Sequence, residues 1–424
     1  MMPSARGPRT RSGRGVPRRA SELMVMAFLA ALLMPVPVQG DRIPAFARKY
    51  GVSCALCHQP APRLNAFGED FAGNGFMLAR GEVPPDTMMA GDPLLRLQRS
   101  LPLAVRMDAY LTGLTESGDG VVATDLQTPW GVKILSGGQV SDNVAYYLYF
   151  YMSERGEVVG LEDAYLQFND VLGTGVDVIA GQFQVSDPLF KRELRLEYED
   201  YNPYRVRVGD VRADLAYERG FMASKGLWDG ADLVVGIVNG RGLSHASDEK
   251  LYDTDGWKNV FGRVSQDVGA SLRVGGFVYG GTESVDGVES DFLTWGPDMT
   301  AVLGSTLEIN GGFLRRVDDN PFFLDRCGAT DPRCDGGSPE TTVDSWLAEA
   351  IWAPSGPLGR WFFTGLYNRV TSDRPVFTVR QGESGPLDRY ETLGVTASWL
   401  QARNIRLLGE VSRGRFTAGV VTAF

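Results

Sequence analysis

The chain has 424 residues, 43% of them apolar, a formal charge of −10, four cysteines and only two histidines. A helical membrane protein needs repeated apolar runs of roughly 20 residues, yet mean hydropathy is −0.13 and only residues 23–34 approach such a run. Two histidines exclude a His-rich multihaem cytochrome, four cysteines argue against a disulfide-stapled scaffold, and 10% aromatic content argues against disorder.

Residues 1–40 read as a secretory signal peptide. Arg6, Arg9, Arg11, Arg14, Arg18 and Arg19 form a basic leader, residues 23–34 an apolar stretch, and Val38-Gln39-Gly40 a small-residue end before Asp41. Arg18-Arg19 suggests twin-arginine export, but Ala20-Ser21-Glu22 fits that pattern poorly. A membrane anchor is the competing reading; the run is shorter than roughly 18 residues, and Pro35 and Pro37 follow it. Without the leader, 36 basic face 51 acidic residues, a formal −15. That balance argues against nucleic acid as a partner.

Cys54-Ala55-Leu56-Cys57-His58 is C-x-x-C-H, the attachment pattern for one c-type haem. Two thiols a short turn apart can add across the two haem vinyl groups, and the adjacent imidazole of His58 then serves as axial iron ligand. A redox dithiol does not need His58, and zinc needs a second ligand pair that His245 and the distant Cys327 and Cys334 supply poorly. Phe46, Tyr50, Phe67, Phe71 and Phe76 offer aromatic cover for a porphyrin, or the core of a small domain. Residues 62–74 read as a helix with Leu64, Phe67 and Phe71 on one face, Pro62 in its first turn and Gly73 and Gly75 ending it. Met77 is the first candidate for sixth ligand, followed by Met88 and Met89. A five-coordinate iron is the alternative.

After Leu101 the period becomes two. Leu103, Val105, Met107, Ala109 and Leu111 alternate with Arg106, Asp108, Tyr110 and Thr112. Leu393, Val395, Ala397 and Trp399 alternate with Thr392, Thr396 and Ser398; Ile405, Leu407 and Val411 with Arg406, Glu410 and Ser412. Phe416, Ala418, Val420, Thr422 and Phe424 continue the pattern to a terminal phenylalanine resembling an outer-membrane assembly signal. Apolar-out, polar-in segments of about 10 residues predict a transmembrane antiparallel barrel of about 16 strands. A soluble β-sandwich also alternates but would rarely need so many long strands. Connections after even strands come out short, and most after odd strands long, such as 186–212, 240–256, 318–341 and 372–388. Cys327 and Cys334 share one long loop, where a local disulfide is expected in an exported protein. Glu193, Glu197, Glu199 and Asp200, then Asp248, Glu249, Asp253 and Asp255, then Asp318 and Asp319, are expected in outer loops, hydrated or facing a cation.

Residues 44–48, the 54–58 motif, Asn65-Ala66-Phe67-Gly68 and Asn74-Gly75-Phe76 together resemble the N-terminal segment of outer-membrane monohaem c-type cytochrome–porin fusions of iron-oxidising bacteria. The specific likeness spans residues 44–77; the barrel matches in architecture only. The resemblance implies a small α-helical monohaem cytochrome c domain over 41–100 and an outer-membrane β-barrel porin domain over 101–424. It also implies electron uptake from an extracellular donor, Fe(II) in that family, and delivery to a periplasmic cytochrome or other carrier. By motif position Cys54 and Cys57 attach haem c and His58 is axial. The lipid-facing band is about 25 Å tall, so a single haem connects both sides only if residues 41–100 enter the mouth or lumen, or a partner cytochrome docks. The other reading is a diffusion porin with a structural or sensory haem, served by Arg106, Arg263, Arg273 and Arg406 in the lumen. A peroxidase-like enzyme is disfavoured because no second histidine lies near to act as a distal acid–base group.

Overall fold

The computed structural model describes residues 45–78, 82, 87–95, 97–98, 102–114, 124–326, 333–334, 338–379 and 385–424. The expected signal peptide lies outside the described residues. Ile43–Phe424 form one compact unit.

Sixteen antiparallel strands close into a barrel: β1 Leu103–Leu114, β2 Thr124–Ser141, β3 Val144–Glu154, β4 Gly160–Phe168, β5 Val176–Gln184, β6 Tyr217–Trp228, β7 Ala231–Val238 and β8 Asn259–Val268, then β9 Leu272–Val285, β10 Val288–Leu303, β11 Leu307–Asp318, β12 Thr341–Trp352, β13 Trp361–Ser372, β14 Arg389–Ala402, β15 Ile405–Ser412 and β16 Arg415–Ala423. Each pairs with its sequence neighbours, and β16 pairs with β1 from Arg415↔Leu114 to Ala423↔Arg106. Phe424 extends that seam by exchanging two backbone hydrogen bonds with Val105. Closure gives each of the sixteen barrel strands a partner on both sides.

The strands form because their alternation has one consistent sense, apolar side chains outward and polar ones inward. On β14, Leu393 is 65% and Val395 58% exposed, while Thr392, Thr396 and Ser398, on the opposite face, are buried. Asn310, Asn368, Glu349 and Glu410 likewise point into the buried interior. A soluble fold would place these residue types the other way round. Trp352, Trp361, Phe363 and Trp399 meet on the rim where the barrel begins and ends, with Trp361 and Trp399 centroids 6.5 Å apart. The turns on this terminus rim are mostly short (142–143, 229–230, 269–271, 304–306, 403–404), whereas the opposite rim carries the long connections 185–216, 239–258, 319–340 and 373–388.

The 185–216 connection does not stand out in solvent. Phe190, Tyr201, Tyr204, Val211, Ala213 and Leu215 fold inward onto Phe261, Phe277, Tyr279, Leu347 and Leu366 of the wall. Asp200 ties the loop together by accepting from Arg192 at 2.9 Å and Arg205 at 2.6 Å. A short ladder pairs Val206–Val208 with Phe377–Val379 of the 373–388 connection. The expectation of a hydrated acidic outer loop is therefore corrected for Glu193, Glu197 and Asp200. Asp200 is paired with Arg192 and Arg205, Glu193 accepts from Gln184 of the wall, and Glu197 is buried beside the Glu349 and Glu410 carboxylates, while the interleaved aromatics drive the segment into the lumen. Asp318 is also buried, paired with Arg316 at 2.7 Å, whereas Asp248 and Glu249 are exposed as expected.

A candidate haem-attachment turn in the mouth of the barrel

Residues 45–78 contain two short helices, α1 Ala45–Tyr50 and α2 Ala66–Gly73, with a single 3₁₀ turn, Cys54–Leu56, between them. The helix expected from Pro62 begins instead at Ala66. Asn65 caps it, its Oδ1 accepting from the Gly68 amide at 3.0 Å, and the preceding residues fold back so that the Gln59 amide donates to the Arg63 carbonyl at 2.9 Å. Local side-chain capping outcompetes an earlier helical start.

The same asparagine fixes the cysteine turn. Asn65 Nδ2 donates to the Leu56 carbonyl at 3.0 Å, and its own amide donates to the Cys57 carbonyl at 2.9 Å. Gly68 completes this contact: a Cβ there would lie 2.2 Å from the Cys57 oxygen. Cys54 and Cys57 carry free, half-buried thiols. Burial pushes both thiols up, keeping them protonated.

His58 is set as an axial ligand requires. Its Nδ1 faces the Pro62 carbonyl at 3.1 Å and the Arg63 carbonyl at 3.3 Å. Two carbonyl acceptors demand a proton on Nδ1, which leaves Nε2 with the lone pair for a metal. Burial lowers the imidazole pKa, with those carbonyls pulling weakly the other way, so the ring stays neutral. The donor set fits covalent c-type haem: two free thiols on one turn and an adjacent imidazole whose second nitrogen is already engaged.

An aromatic cluster backs the turn. Phe46 stacks on Phe76 at 5.0 Å and meets Phe71 edge-on at 5.3 Å; Tyr50 also packs edge-on against Phe71. Phe67 stacks on Phe71 but is 41% exposed. Met77 is buried directly after Phe76, whereas Met88 and Met89 are exposed. His245, the other histidine, is exposed in the 239–258 connection.

The segment is joined to the barrel. Phe76 stacks on Tyr147 of β3 at 4.9 Å. Gln167 donates to the Gly73 carbonyl at 2.5 Å and Asn169 to the Asn74 carbonyl at 3.0 Å. At Gly75, with φ +66°, an added Cβ would lie 2.8 Å from Ala145 Cβ, so glycine admits both the turn and the wall. Arg48 donates to the Leu103 carbonyl at 2.5 Å. Arg63 reaches into the lumen and pairs with Glu308 of β11 at 2.5 Å and Glu349 of β12 at 3.6 Å. Glu349 in turn accepts from the Tyr201 hydroxyl of the inward loop at 2.5 Å. Residues from both rims thus meet on one carboxylate.

Three of the four arginines expected in the lumen are there. Arg106 pairs with Asp108 at 2.8 Å, Arg263 with Asp298 at 2.6 Å, and Arg406 donates to the Leu196 carbonyl of the inward loop at 2.6 Å. Arg273 instead lies at the terminus rim, 40% exposed, bonded to Asp267 and Asp232. One cavity between loop and wall, beside Pro203, Tyr279 and Arg316, measures about 20 Å³, room for roughly one water. Cys334 is disulfide-bonded; Cys327, its expected partner, lies outside the described residues. Among the described residues no cluster of three or more His, Cys, Asp or Glu side chains could hold a metal ion.

The architecture defines a porin-type barrel. An anion-selective porin from Comamonas acidovorans is similar in structure with a TM-score of 0.54 at 10% identity, over 77% of this chain and 99% of that one. The outer-membrane channel DcaP of Acinetobacter baumannii is similar with a TM-score of 0.51 at 12% identity, over 77% of this chain and 97% of that one. At such identities the likeness establishes the fold alone. No family model and no curated protein matches the sequence.

Proposed function

We propose that this chain is an outer-membrane electron conduit, taking electrons from an extracellular donor, Fe(II) in the first instance, and passing them to a periplasmic carrier such as a soluble cytochrome. The observation that carries the proposal is the pre-set His58, with Nδ1 on two carbonyls, beside two free thiols on a turn that is tied into the barrel by Arg63. Haem c bound there supplies a one-electron couple. Cys54 and Cys57 would attach it, His58 would hold the iron through Nε2, and Met77 is assigned as candidate sixth ligand. The disulfide is assigned as Cys327–Cys334.

The apolar outward belt and the tryptophan cluster at one rim suit a lipid bilayer. The terminus rim, with its short turns, is then periplasmic and the long connections face outward. The chain's own residues contribute three things. The 65–68 cap holds the cysteine turn, the aromatic cluster packs α1 and α2 together and against Tyr147 of the wall, and the 185–216 loop packs protein against the wall inside the lumen.

A second reading is a diffusion porin with a structural or sensory haem. Likeness to porins favours it as far as the barrel goes; the packed inward loop opposes it. Anaerobic Fe(II) added to purified holoprotein separates the two. Reduction of the haem band is expected. Reduction by dithionite but not by Fe(II) removes iron as donor, and solute flux through liposomes would then favour the porin.

A further inference from the structure

We propose that Glu308 and Glu349, on the barrel wall, are positioning residues for His58 and act through Arg63. The inference rests on His58 being the axial ligand of the proposed haem.

The orientation of His58 is set by carbonyls of Pro62 and Arg63, at 3.1 and 3.3 Å from Nδ1. Both belong to a short turn that is also tied by the Gln59–Arg63 backbone bond and the bridge between His58 and Leu64. The Arg63 side chain ties this turn to the barrel wall. It is buried, and its guanidinium bonds Glu308 Oε1 at 2.5 Å and lies 3.6 Å from Glu349 Oε2.

Those carboxylates are themselves held. Asn310 Nδ2 donates to Glu308 Oε1 and to Glu349 Oε2, each at 2.9 Å, and the Tyr201 hydroxyl donates to Glu349 Oε1. A continuous bonded chain therefore runs from the inward loop through β11 and β12 to Arg63, along its backbone to the carbonyl, and on to Nδ1. Partners that hold the second nitrogen of a ligating histidine fix its tautomer and ring orientation and tune its basicity. Here those partners are anchored on the barrel, so the barrel determines how the imidazole is presented.

Two histidines make the test tractable. With ¹⁵N-histidine in the full-length barrel, His245→Ala leaves His58 as the single imidazole signal. The haem-free Cys54→Ala/Cys57→Ala protein reports the tautomer directly, and oxidised holoprotein reports ring orientation through its electron paramagnetic resonance g-values. The proposal expects an Nδ1-protonated ring in the parent. Arg63→Met and Glu308→Gln/Glu349→Gln should mix the tautomers and shift the g-values, and Arg63→Lys should largely restore both. Heat-modifiable migration on gels checks that each barrel is folded. Should the double variant not fold, Arg63→Met, which lies outside the strands, decides alone. An unchanged tautomer and unchanged g-values in folded Arg63→Met overturn the proposal. Absence of covalent haem in the parent overturns the haem reading separately, and the haem-free tautomer still decides whether barrel carboxylates position His58.

Discussion

Two segments fill the barrel, one from each rim, and they are held by different physics. Residues 45–78 enter at the terminus rim through a few specific contacts: Arg63 on Glu308 and Glu349, Phe76 on Tyr147, and two side-chain amides on the carbonyls of Gly73 and Asn74. Residues 185–216 enter from the opposite rim as a packed layer, with an apolar cluster and a partly buried Asp200 shared among arginines. The first carries the proposed haem site on a light frame. The second is a filler whose work is packing. Damage to the first should remove chemistry and leave the barrel intact, while damage to the second should open the barrel and leave the chemistry bound.

The largest contrast comes from Cys54→Ala/Cys57→Ala. Haem stain on denaturing gels should vanish completely, while heat-modifiable migration of the barrel is unchanged. Loss of the folded barrel together with the stain would show that the first segment is structural as well. On the other side, Tyr201→Ala empties a fully buried site and leaves Glu349 without its hydroxyl donor. A truncation of this kind costs about 3–5 kcal/mol, enough to undock the loop, and single-channel conductance should rise well above the parent's with haem content unaltered. Gly68→Ala comes next. Its Cβ collides with the Cys57 carbonyl, and overpacking of this sort costs about 1–3 kcal/mol; haem incorporation should fall several-fold by pyridine haemochrome assay, with no change in conductance.

A smaller effect is set by pH. Burial, with the Glu349 and Glu410 carboxylates beside it, pushes Glu197 up to about 8. The folded loop therefore holds a proton that the unfolded chain releases near its ordinary value, so the associated stability is present at low pH and lost as pH rises toward 8. Conductance should increase between pH 5 and pH 8, and Glu197→Gln should flatten the profile. A rise of equal size in Glu197→Gln would assign the pH dependence elsewhere. The smallest effect is at Arg273, whose exposed pairs with Asp267 and Asp232 are worth about 0–1 kcal/mol. Arg273→Ala should alter neither haem content nor conductance, in contrast to the same change at lumenal Arg406, which supports the Leu196 carbonyl.

The same contrast explains what could be read from sequence. Strand faces were legible because each outward side chain declares itself: Leu393 and Val395 against Thr392 and Thr396 admit one register only. The C-x-x-C-H spacing was legible as a motif, and the chain folds its first three residues as one 3₁₀ turn. The start of α2 was misplaced at Pro62 because periodicity weighs Leu64 with Phe67 and Phe71, whereas Asn65 decides the matter through a cap. The inward course of 185–216 is hidden in its carboxylates, which look like a hydrated loop until their partners are in view. The signal was present in Phe190, Leu196, Tyr201, Tyr204, Val206, Val208 and Val211, too apolar a set for a hydrated loop, with Arg192, Arg195 and Arg205 beside Asp200. The Arg63 link to β11 and β12 joins residues more than 240 positions apart, and no local pattern announces it. Arg273 was assigned to the lumen from its residue type, but it falls within two residues of a turn, where a long side chain reaches the rim.

Whether the two segments together make a conduit is tested most directly in liposomes carrying full-length holoprotein, with an oxidised, membrane-impermeant cytochrome entrapped and Fe(II) chelated outside in a form too large to cross. The account predicts that the entrapped cytochrome is reduced while entrapped small solutes stay inside, and that Cys54→Ala/Cys57→Ala abolishes the reduction. Solute escape without reduction of the cytochrome would contradict it and establish the diffusion porin.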